Sequence, residues 1–83
     1  MRMMEFKMER PGVVKEGEHV TVTEGELPSN YYYTIDPSLA MSPNVPFRKR
    51  LKSSEGDVVS VIQNARGFYV TVAFDEEDVD NDV

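Results

Sequence analysis

Residues 57–74, DVVSVIQNARGFYVTVAF, hold the strongest pattern in the chain. In GFYVTVAF, Phe68, Val70, Val72 and Phe74 fall on one side of an extended backbone, and Tyr69, Thr71 and Ala73 on the other. That period of two is the signature of a β-strand with one buried face. The preceding DVVSVIQ is apolar on both sides (Val59 and Val61; Val58 and Ile62), which predicts a central strand covered on both faces. QNARG between them predicts a hairpin loop of three or four residues closed by a left-handed Gly67.

The same period recurs outward from this hairpin. EHVTVT sets Val20 and Val22 against His19, Thr21 and Thr23, and NYYYTI sets Tyr31, Tyr33 and Ile35 against Tyr32 and Thr34. MMEFKME aligns Met4, Phe6 and Met8, a first strand. Turns are expected at KEGE around Gly17 and at TEGELPSN around Gly25. No window carries an amphipathic helix of three turns. IDPSLAMS can form one helical turn with Asp36 as N-cap and Pro37 at the first helical position, before prolines end it. The expectation is an all-β fold: a small barrel or curved antiparallel sheet of about five strands, with a Pro-rich loop over 36–47.

EGDVVSVI followed by a short turn and GFYVTVAFD resembles the strand pair of SH3-like small barrels, including KOW-type and Tudor-type domains, over about a quarter of the chain. The Gly spacing that follows this strand in KOW sequences is missing here. The resemblance therefore implies a barrel shape and assigns no functional residue.

Eighty-three residues make one domain, 1–74, with a thin core. Charge is segregated. Residues 1–74 hold nine acids and nine bases, while 75–83 hold six carboxylates and no base, so the whole net charge of −6 lies in an acidic tail expected to be flexible. Absence of cysteine removes disulfides and thiolate metal sites and fits a cytoplasmic setting. No stretch reaches the roughly 20 apolar residues of a membrane span, and the N-terminus lacks the apolar run of a signal peptide.

Catalysis finds little support. The single histidine, His19, sits on the polar side of a strand, no serine has a paired base in view, and no phosphate-binding Gly loop is present. DVDND, with Asp78, Asp80 and Asp82, imitates the first half of a calcium loop, but the Gly and bidentate Glu such a loop needs are missing. No catalytic residue, metal ligand or cofactor is assigned. The expected function is a non-catalytic module engaging a protein partner or a second copy of itself. Tyr32 and Tyr69 would be outward contacts, and Leu39, Met41 and Phe47, with Val45, the apolar groups of a recognition loop or a lid over one barrel end.

The alternative is a nucleic-acid-associated module. If FRKRLKS is an extended strand, Arg48, Arg50 and Lys52 line one side at about 7 Å spacing and could track phosphates, with the exposed tyrosines stacking on bases. The same cations could instead guard a sheet edge. The acidic tail would either compete for these cations or serve solubility.

Overall fold

In a computed structural model, residues 1–10, 12–36 and 39–77 are described. Seven strands follow one another: β1 (Arg2–Met8), β2 (His19–Glu26), β3 (Asn30–Ile35), β4 (Ala40–Met41), β5 (Val45–Pro46), β6 (Glu55–Asn64) and β7 (Gly67–Phe74). Five are long and two have only two residues. All pairings are antiparallel, and the order β2-β6-β7-β1-β4-β3 closes on itself through β2–β3. The result is a six-stranded barrel with β5 added alongside β3. Closure removes most free edges, which is how a small all-β chain avoids pairing at random.

The alternating residues fill the interior as their spacing dictates. Met4, Phe6 and Met8 of β1 lie beside Val72, Val70 and Phe68 of β7, and Phe74, Val20, Val22, Tyr33, Ile35 and Val58 join them in the core. Phe6 and Phe74 pack tilted, ring centroids 6.3 Å apart, an arrangement aromatic quadrupoles favour. Gly56 is buried in β6 because β7 lies too close for a side chain: a Cβ there would stand 2.6 Å from the Ala73 carbonyl oxygen.

Four local expectations are corrected. β2 does not turn at Gly25 but runs through it to Glu26. Gly25 pairs with Tyr32, whose ring occupies the space a Cβ would need. The chain turns instead at Leu27–Asn30, closed by a 2.7 Å bond from Leu27 N–H to the Asn30 carbonyl. The β6–β7 loop has two residues, Ala65 and Arg66, between the paired Asn64 and Gly67, and Asn64 Oδ1 accepts from Arg66 N–H at 2.8 Å. β6 is not covered on both sides: a bulge at Val59 shifts its register, and Val59 and Ile62 are 42% and 49% exposed. Finally, the Pro-rich stretch contains β4 and β5, so it is not a continuous loop. They lie along successive parts of β3, and between them Ser42 Oγ accepts from Tyr33 N–H at 2.9 Å. Pro37, Ser38 and the acidic residues Asp78, Asp80 and Asp82 lie outside the described residues, and with them the proposed helical turn and the DVDND motif.

Candidate interaction surface

The basic segment is not a strand. Phe47–Lys49 form a single 3-10 turn and the chain then crosses the barrel end without regular structure, so the expected stripe of Arg48, Arg50 and Lys52 does not form. The physical reason is tethering from below. Leu51, 4% exposed, plugs the core. The Tyr33 hydroxyl accepts from Leu51 N–H at 2.8 Å and donates to Glu24 Oε2 at 2.9 Å. Burial, with the Glu24 carboxylate adding to it, pushes the Tyr33 phenol up to about 12. Arg2, buried on the inward side of β1, donates to the carbonyls of Lys49 (2.6 Å) and Arg50 (3.3 Å) and pairs with Glu76 at 3.3 Å.

Glu76 completes the tether. Its Oε1 accepts from Lys52 N–H (3.0 Å), Ser53 N–H (2.8 Å) and the Ser53 hydroxyl (2.8 Å). Burial acts to raise its pKa, but these hydrogen bonds and Arg2 outweigh it and hold the carboxyl below 4.5. Counted by charge as part of the tail, Glu76 is a structural acid that holds backbone N–H groups. Arg50 is likewise committed: its guanidinium grips Glu24 in a two-pronged pair (2.9 and 2.8 Å) and lies 4.8 Å from the Tyr31 ring centre. Arg50 is the chief cause of a lowered Glu24 pKa. Arg48 and Lys52 remain exposed beside Phe47, which packs on Tyr31 with ring centres 4.9 Å apart.

The other candidates separate. Leu39 is half-buried against the core and Val45 is within it, so neither is an exposed contact. Tyr32, half-buried, covers Gly25 and lines a shallow hollow of about 210 Å³ with Thr23, Thr34 and Asp36. Met41 and Tyr69 share a surface, on either side of Lys7. Register places Ile62 opposite Tyr69, Tyr69 opposite Lys7, and Lys7 opposite Met41, giving one outward row across β6, β7, β1 and β4. Towards its β4 end, Glu5, Glu9, Ser42 and Pro43 join Lys7, Met41 and Tyr69 to line a groove of about 360 Å³. Ile62 and Met41 are about half exposed.

Sequence reasoning missed Ile62 and Lys7 as members of this row. Ile62 read as covered, and Lys7 as the ordinary polar side of a strand; the signal was available only once the strand neighbours were known. Among the described residues no cluster of three His, Asp or Glu side chains could hold a metal ion, and no helix is long and apolar enough to cross a membrane. Comparison with protein-family models, curated proteins and solved structures found no match to this chain.

Proposed function

We propose that this small barrel, SH3-like in scale, is a non-catalytic binding module of the cytoplasm that engages protein through the outward face of β6, β7, β1 and β4. The observation that carries the reading is the row Ile62–Tyr69–Lys7–Met41 with the groove at its β4 end. A half-buried tyrosine between Ile62 and Lys7 offers contact area at low entropic cost, as protein interfaces use it. Glu5 and Glu9 flank the groove and favour a partner that presents an apolar group beside a cation.

The nucleic-acid alternative rests on Phe47, Arg48, Arg50 and Lys52 around one hollow of about 520 Å³; it ranks second because Arg50 is paired with Glu24 and neither Tyr32 nor Tyr69 lines that hollow. Two measurements separate the readings. A photo-reactive phenylalanine at position 69 or 41 is expected to cross-link in cells to the same discrete protein, while one at Ser29 gives no such adduct. An amide NMR titration with a short mixed-sequence RNA is expected to leave residues 48–52 unmoved at physiological salt. Salt-sensitive shifts there, with no adduct from 69 or 41, would transfer the function to nucleic acid.

A further inference from the structure

Beyond the β6 bulge, residues 59–64 pair with β7 on one side only. β2 meets β6 at residues 55–57, and Gly17 and Glu18 take up the backbone groups of Val58. Among the described residues, no further backbone hydrogen bond reaches 59–64 from that side. The two-residue loop makes Asn64–Gly67 a hydrogen-bonded pair. Alternation along an antiparallel ladder then turns the N–H and C=O of Val61 and Gln63 away from β7. Past the bulge at Val59 this edge carries no further protection: residues 60–65, SVIQNA, contain no charge and no proline in a chain that is 29% charged.

We propose that this edge is a homodimer interface, in which β6 pairs antiparallel with β6 of a second copy about a two-fold axis through Ile62. The inference deepens the interaction-module reading and rests on it. That axis sets Val61 opposite Gln63 of the partner and Gln63 opposite Val61, so every outward backbone group of the pair finds its complement. Ile62 meets its own copy at the closely spaced, non-hydrogen-bonded position, where side chains approach most nearly. A neutral edge can face itself without like-charge repulsion. A partner strand of another composition would have no such match built into this sequence. The outward row becomes continuous across the axis, running from Met41 and Tyr69 of one copy through both Ile62 side chains to Tyr69 and Met41 of the other. Occupation of the Val58 groups by Gly17 and Glu18 ends the ladder, and the two-fold axis uses the same edge of both copies, which closes the assembly at two copies instead of a fibre.

Sedimentation of the full chain from low micromolar to millimolar concentration tests this, with hydrogen exchange read by NMR at both ends. The expected result is a concentration-dependent doubling of the 9.4 kDa mass, with the Val61 and Gln63 amides protected only in the heavier species. Gln63→Pro removes one outward donor per copy without touching the β7 ladder, and Ile62→Lys sets two cations side by side. Each is expected to weaken dimerisation on the order of tenfold or more while leaving the rest of the amide spectrum in place. A chain that stays at monomer mass throughout, or a dimer that survives both substitutions, overturns the proposal. If the chain stays monomeric while positions 41 and 69 still cross-link to another protein, the edge pairing falls and the binding module stands. Edge pairing with no foreign adduct limits the partner to a second copy.

Discussion

Glu76 shows how far one side chain's role can depart from its sequence surroundings. Among six carboxylates in 75–83 it looks solvated, yet its side chain is 12% exposed and holds two backbone N–H groups, a hydroxyl and Arg2. Its lowered pKa means that the ionised form favours the fold. The stabilisation is complete above the usual 4.5 and is lost as pH falls through the lower folded-state value. Glu76→Gln removes the ion pair and turns an amide NH2 towards groups that are themselves donors. It is expected to cost about 1–3 kcal/mol at neutral pH, read from denaturant unfolding, and to flatten the acid limb of the stability profile. An unchanged profile would mean that water replaces the carboxylate at no cost.

At the scale of elements, the narrowest seam among the long strands is β2–β6, three paired residues at one end of each strand. His19 lies on its outer side, 2.8 Å from Asp57 across the strands and 3.3 Å from Glu55. The hydrogen bond to Asp57 raises His19 above 6.5, against a smaller opposing effect of burial and with further help from Glu55. Protonated His19 thus supports the seam. Its contribution is full below 6.5 and fades as pH rises through the higher folded-state value. The unfolding midpoints of wild type and His19→Gln are expected to differ most at mildly acidic pH and to converge above it. The effect should be small, as exposed pairs give. A difference independent of pH would place the role of His19 in packing.

For the whole molecule, the decisive pairing is β1 with β7, which joins Arg2 to Phe74 and closes the barrel from opposite ends of the sequence. No part of the core is complete without it, because Met4, Phe6 and Met8 supply one wall. Unfolding is therefore expected as one transition, coincident by far-UV circular dichroism and tyrosine fluorescence, with folding in the millisecond-to-second range of topologies dominated by distant contacts. Two separated transitions would show that the β6–β7 hairpin persists by itself. At this scale the segments before and after the hairpin also meet, though not through their opposite charges: Glu76 holds the backbone of Lys52 and Ser53, and its ion-pair partner is Arg2 of β1, which holds the carbonyls of Lys49 and Arg50.

The period of two at Phe68–Phe74, Val20–Val22 and Met4–Met8 was enough by itself to determine an all-β fold, barrel or curved sheet, and most of its interior, because alternation is a property of each strand alone. Which strands lie side by side is a property of closure, so the outward row Ile62–Tyr69–Lys7–Met41 was legible only as scattered residues. Met41 and Tyr69 were readable as contacts one at a time; that they share a surface was not. Gly25 read as a turn because its tolerance for φ > 0 is local information, whereas the ring of Tyr32 that requires a glycine there comes from the opposite strand. The basic run read as a stripe because extended spacing is the simplest geometry for FRKRLKS. Only the tertiary structure, with Arg2, Tyr33 and Glu76 taking up its backbone groups and Glu24 taking Arg50, decided that this segment is a tethered strap. Sequence patterns report each residue's preference for inside or outside. Hydrogen-bond partners and neighbours across the sheet are set by where distant segments meet.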